Sequence, residues 1–292
     1  MKTYLTVAIL MSFSTLMAGT IDRKAVVERH NIQTTDVNPI LALGNGRFCF
    51  GVDGTGLQTF GGNIMTHWAW HSFPLPEGAT MADVPETGTI ETGRLVGEMK
   101  QASAKPEVSS WMFQNPHGFN LGRLRLTDAA GKVITVEQLA NPTRTLDLWK
   151  GVQTAEYTFN GHPVKVQTTV HPDFDQVAVR IESELIGTGE LAVELEFPYP
   201  VGSVSWKWSD PLSGFEKTKT ASVENWQKYW MSGGAIDLSE SRDPRRKELE
   251  RRVVLSQYLM GTQSAGTWPI TVSGIVGITP QKRWAATKPS FR

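Results

Sequence analysis

The chain has 292 residues, with Lys+Arg and Asp+Glu equal at 29 each. That length supports a substantial core, and the balanced charge argues against nucleic acid as the main partner. The single cysteine, Cys49, excludes an internal disulfide, so stability must come from burial.

Residues 1–20, MKTYLTVAILMSFSTLMAGT, begin with Lys2, run apolar through Val7 to Met17 and end on the small residues Ala18 and Gly19. The pattern predicts a cleaved secretory signal and a periplasmic or secreted protein. A membrane anchor fits less well, because Ser12, Ser14 and Thr15 interrupt a stretch already short for a bilayer. Loss of Lys2 leaves 28 basic against 29 acidic residues, a net charge of −1. No later stretch is apolar for long enough to span a membrane.

From about residue 40 to residue 200 the dominant signal is alternation with a period of two. LAVELEF (191–197) places Leu191, Val193, Leu195 and Phe197 on one face, and QVAVRIES (176–183) does the same with Val177, Val179 and Ile181. Each reads as a half-buried antiparallel strand. Asn160-Gly161 suits a tight hairpin turn, and a second turn is predicted at Asp128–Lys132. The predicted strands are 46–52, 56–61, 88–99, 121–127, 133–139, 152–159, 163–170, 175–183 and 190–197. Strands at this spacing imply a mainly β fold, a large antiparallel β-sandwich.

The segment SFPLPEGATMADVPET (72–87) carries three prolines without periodicity, so it reads as a long loop over a sheet edge or a binding face. Just before it, His67-Trp68-Ala69-Trp70-His71 in extended form puts Trp68 and Trp70 on one side. Two flat aromatic surfaces beside a loop suit the apolar faces and hydroxyls of sugars. The plainer reading buries both rings. The candidate substrate-binding residues are Trp68, Trp70, His71 and Glu77. Glu77, Asp83, Glu86 and Glu91 lie in or beside the loop, but no two form a convincing pair for acid–base chemistry, and solvated loop acids are the plainer reading. His67 and His71 lack an evident third ligand, so no metal is assigned, and no cofactor either. Gly44-Asn45-Gly46 and the glycines of 51–56 lie among strands rather than between a strand and a helix, so they read as turns, not a nucleotide cradle.

After Phe197 the texture changes. Residues 222–231 predict a short helix with Trp226 and Trp230 one turn apart, anchoring it to the sheet. DPRRKELERRVVLSQYLMGTQSAGTWP (243–269) predicts a helix of about 25 Å, with Asp243 as N-cap, Pro244 at the first helical position and Gly261 just past the end. Its second half is apolar nearly all round, which calls for neighbours on most sides. Nothing helical follows, so the expected partner is missing from this chain or is another chain, and the helix should promote self-association.

DPRRKELERRVVLSQYL (243–259), preceded by ENWQKYWMSGGAIDLS (224–239), resembles the linker of the six-hairpin glycosidases, in which an N-terminal β-supersandwich is joined by helices to a catalytic (α/α)6 barrel. NPILALGNGRFCFGVDGTGLQTF (38–60) is similar to the opening strands of the same proteins, including the α-L-fucosidase and maltose-phosphorylase types. THWAWHSFPLPEG (66–78) resembles the aromatic loop that follows in uncharacterised bacterial members. The resemblance implies a galactose-mutarotase-like supersandwich over 21–221 after the signal at 1–20, a helical linker over 222–268, and action on poly- or oligosaccharides. In the family the linker continues from Trp-Pro or Leu-Pro into Pro-Gln-Glu-Ser/Thr-Gly-Leu. Here Trp268-Pro269 is followed by Ile270-Thr271-Val272-Ser273, so 269–292 stands where the barrel should begin. A truncated or frameshifted member is the expectation. The family's catalytic carboxylates lie in the barrel, so no residue here inherits them, and the (α/α)6 unit is the implied partner. The alternatives are a stand-alone carbohydrate-binding module and a mutarotase-like epimerase, which would need a convergent His and Glu. His162 and His171 sit beside prolines at strand ends, where turn roles suffice.

Overall fold

A computed structural model describes residues 20–66, 70–71, 74–84, 87–91, 96–100, 103–114, 117–118, 121–197 and 212–266. Residues 1–19, on which the predicted signal falls, the region around Lys207 and residues 267–292 lie outside these. In chain order the helices are α1 (Arg23–Glu28), α2 (Pro106–Gln114), α3 (Glu184–Thr188), α4 (Phe215–Met231) and α5 (Arg246–Gln263). The strands are β1 (Ile32–Thr34), β2 (Leu41–Gly44), β3 (Phe48–Val52), β4 (Ile64–Thr66), β5 (Trp70–His71), β6 (Thr87–Glu91), β7 (Val96–Lys100), β8 (His117–Gly118), β9 (Arg123–Asp128), β10 (Ala140–Asp147), β11 (Val152–Phe159), β12 (His162–Val170), β13 (Val177–Glu182) and β14 (Leu191–Glu196). The fold is mainly β and antiparallel, as the alternation predicts.

The central sheet runs β1–β10–β11–β12–β13. Its register puts Ala155 opposite Val166 and Tyr157 opposite Val164, so one face is apolar along most of its length. The β11–β12 hairpin turns at Asn160-Gly161, with φ of 49° and 82°, the left-handed pair that matches strand twist. Over one end of the apolar face lie β9 and β14, which contribute Leu126 and Leu191 to a core with Tyr157, Phe159 and Val166. Over the other end lie β2 and β3, whose Leu43, Phe50 and Val52 join Leu146, Trp149 and Val170. The central sheet and these covering strands are the two layers of a sandwich.

Several elements differ from the sequence expectation. Residues 133–139 give only an isolated bridge, Thr127 to Val133, and a 3₁₀ turn at Val136–Gln138, in which the Thr135 N–H donates to Gln138 Oε1 at 2.7 Å. The strand is instead 140–147, whose inward positions include Arg144 and whose register is broken by a bulge after Ala140. Residues 56–61 are not a strand but a coil wrapped around the Asp53 carboxylate, which accepts from the Thr55 N–H and hydroxyl and from the Phe60 and Gly61 N–H groups. On β14, Leu191 is buried but Val193, Leu195 and Phe197 are about half exposed, because this strand lies at the rim beyond β9.

The helices meet within this chain part of the demand for neighbours that the sequence predicts. Helix α4 begins at Phe215, seven residues before the predicted start. Its polar first turns dock by hydrogen bonds, Gln176 Nε2 to Ser213 O at 2.6 Å and to Thr218 Oγ1 at 3.1 Å, and Arg180 lies 4.7 Å over the Phe215 ring. Helix α5 finds its neighbours within this chain. Val254 and Tyr258 are buried against β2, α1 and α4; Tyr258 donates to Ala42 O at 3.0 Å and stacks on Trp226 at 4.6 Å. Leu249 and Met260 remain exposed. The start lies at Arg246 because Asp243 closes a turn there, accepting from the Arg245 N–H at 2.8 Å. Gly261 sits inside the helix, where a Cβ would come 3.0 Å from the Trp226 ring, so it permits the α4–α5 approach rather than ending α5.

Buried Glu250 joins α5 to α1. Its oxygens accept from Arg29 Nε at 2.7 Å and Nη2 at 2.9 Å, from His30 Nε2 at 2.7 Å and from the Leu238 N–H at 2.6 Å. Burial pushes this carboxyl up, but the bonds from Arg29, Leu238 and His30 outweigh it, and the net position is below the usual glutamate range. A depressed folded-state pKa stabilises the fold above the unfolded value of about 4.3, and that contribution disappears as pH falls through the folded value. Glu250→Gln should therefore cost about 2 kcal/mol at neutral pH, with the difference from wild type shrinking below about pH 4 in urea unfolding. Gly44 is crowded from both sides, since a Cβ there would lie 2.3 Å from Thr262 O and 2.7 Å from Phe48 O. Gly44→Ala should lower stability by about 2–3 kcal/mol, whereas Gly187→Ala, with open space around it, should change the urea midpoint little.

Candidate functional site

The sequence-predicted sugar-binding residues fall on the loop-rich stretch between β4 and β9. Trp68 and His67 lie outside the described residues, as does Glu86. Trp70 and His71 form β5, a two-residue strand paired with β8, Trp70 opposite Gly118 and His71 opposite His117. Glu77 is exposed in a turn leading into Gly78, whose φ is +74°.

The neighbouring loop is tied down by Asp83. Its carboxylate accepts from the Thr80 N–H at 2.8 Å and hydroxyl at 3.1 Å, and Lys105 stands 2.9 Å away at the start of α2. The Thr80 N–H bond and the Lys105 ammonium hold the Asp83 carboxyl below its ordinary range. Ser103 donates to Asp83 O at 2.7 Å, and Lys105 Nζ reaches Gly78 O at 3.2 Å. The described part of the proline-rich loop, 74–84, is thus held by the Asp83, Ser103 and Lys105 contacts, with Glu77 exposed within it. Sequence reasoning identified the loop but not this clamp, since Ser103 and Lys105 are some twenty residues away from Asp83 and carry no periodic signal.

A second concave surface lies on the outer face of the central sheet, a depression of about 730 Å³ lined by Asn141, Thr143, Glu156, Lys165, Glu182 and Glu184 among others. The register sets Thr143, Glu156, Lys165 and Glu182 in one row across four strands. Lys165 meets Glu156 at 2.6 Å, and Glu184 is engaged by His162. His171, the other histidine considered at a strand end, accepts from the Asp173 N–H and packs on Phe174; burial holds its pKa down. These are turn and surface roles.

Glycoside hydrolysis needs a carboxylic acid raised in pKa and open to a cleft, facing a second carboxylate. Among the described residues, Asp53 is the carboxyl whose pKa stands above the ordinary range, raised by burial, and it is 0% exposed with donors on both oxygens. It organises a coil and cannot reach a substrate. Among the described residues no other carboxyl has a raised pKa, so the raised acid that such chemistry uses is not met in an open position. No protein-family model and no curated protein matches this sequence.

Proposed function

We propose that this chain is the β-domain and helical linker of an exported glycoside hydrolase-like protein, a non-catalytic portion that seats a catalytic (α/α)6 unit and contributes Trp68, Trp70, His71 and Glu77 to the sugar cleft. The observation that carries the reading is the way α4 and α5 are held. A linker that only tethered two domains would need no buried carboxylate, aromatic stack or glycine contacts. Here the helices are fastened to the β-layers by Glu250, the Trp226–Tyr258 stack and Gly44, while Leu249 and Met260 stay outward on α5. Rigid seating below and apolar residues above suit a support for a further helical unit.

Stand-alone carbohydrate binding is the second reading, favoured by the clamped loop that follows β5 in the chain. Aromatic platforms with nearby polar groups bind sugar rings by contact with their apolar faces.

The two readings share a binding face. Trp70→Ala should weaken oligosaccharide binding by about tenfold or more, the loss of about 1.5 kcal/mol of ring contact, with an unchanged urea midpoint. Lost stability at unchanged affinity would make Trp70 a core residue and remove the sugar cleft from the proposal. The purified chain should not turn over aryl glycosides, and turnover abolished by a single Glu or Asp substitution would overturn the non-catalytic assignment.

A further inference from the structure

Across the inner face of the central sheet, Arg144, Gln153 and Thr168 sit on neighbouring strands. Thr168 is the register partner of Gln153, and Arg144 stands diagonally beside it, opposite Ala155. All three are 0–1% exposed, and they form a polar belt between the two apolar clusters. Thr168 is satisfied, donating to Gly56 O at 2.6 Å. The other two are not. Arg144 donates from Nη1 to Pro39 O at 2.9 Å, but its Nε and Nη2 have no hydrogen-bond partner, and neither end of the Gln153 amide has one.

A guanidinium remains protonated in proteins, so Arg144 carries its charge into the core. Burying a charge is strongly unfavourable unless it is paired and hydrogen-bonded. Asp53 and Asp36 act on Arg144 through space, yet neither makes an ion pair with it. The Asp53 oxygens are committed to Thr55, Phe60 and Gly61, and Asp36 Oδ1 to Asn38. The orphaned atoms are mostly donors: two on Arg144 and one on Gln153, against one acceptor.

We propose that Arg144 and Gln153 form an internal binding site for a small monovalent anion of the chloride class. One guanidinium balances one negative charge, and the anion accepts from Arg144 Nε, Arg144 Nη2 and Gln153 Nε2. Water in the same place would accept hydrogen bonds but bring no charge into direct contact with the guanidinium, which Asp53 and Asp36 reach only through space. The anion is a structural ligand, binding the folded state alone and stabilising it in proportion to its occupancy.

The test is a bromide-containing crystal of the full chain measured at the bromine edge, together with urea unfolding in sodium chloride and in sodium gluconate at equal ionic strength. The expected results are an anomalous peak within hydrogen-bonding reach of Arg144 and a higher urea midpoint in chloride than in gluconate. Arg144→Met should abolish the difference between salts; if that variant does not fold, the wild-type bromide experiment decides alone. A peak without anomalous signal at this position, bromide only on the outer surface, or equal midpoints in the two salts would each overturn the proposal.

Discussion

The architecture turns on the stacking of Trp226 against Tyr258. The two rings lie 4.6 Å apart at an interplanar angle of 25°, one from α4 and one from α5, and Tyr258 carries the contact on to the β-layer through Ala42 O. Such a stack requires the backbones to come close, and the chain supplies glycine where they do. Gly151, with φ of +63°, lies under the Trp226 indole, where a Cβ would meet Nε1 at 2.1 Å, and Gly261 faces the other edge of the ring. Trp230 then fixes the rotation of α4 by donating to Leu148 O at 2.8 Å. With these set, α5 has only one way to present its buried side, and Glu250 falls within reach of Arg29 and His30.

The β-layers follow a different logic. The inner face of the central sheet is apolar at both ends and polar across the middle, so two cores form where a plain sandwich would have one. The Asp53 coil belongs to this middle zone: Tyr157 donates to Thr55 O and Thr168 to Gly56 O, fastening the coil to β11 and β12. Hydrogen bonds of this kind set position and register where apolar packing alone would tolerate sliding.

How much of this could be read from the sequence depended on whether the stabilising contact was local. The hairpin at Asn160-Gly161 and the strands 152–159 and 163–170 carry their own pattern and turn chemistry and stand within a residue of the expected bounds, while α5 starts two residues later than expected and ends three residues later. Strand 140–147 was illegible because its inward residues are Arg144 and Leu146, a charge beside an apolar group, in a segment containing Pro142. Helix α1 and the first turns of α4 were missed because their contacts are polar and distant: Arg23 and Arg29 of the α1 region reach carbonyls and a carboxylate more than 200 residues away, and the start of α4 is held by Gln176 and Arg180. At the candidate site, the aromatic motif and its loop are visible in sequence, whereas the pairing of β5 with β8 and the Asp83 clamp depend on topology.

The distance along the chain between Arg29 and Glu250 sets the order in which this protein can be completed. The bonds that close α1 onto the fold span 221 residues, and those from Arg23 to the end of α4 span more than 200. A chain emerging amino terminus first, whether from a ribosome or through a membrane, therefore presents α1 long before its acceptors exist. The central hairpins, with partners only a few residues apart, can form early, but β1 must wait for β10 and the first helix for the last. Closure costs loop entropy before any contact repays it, so the docking of α1 depends on the whole length of chain between it and α5.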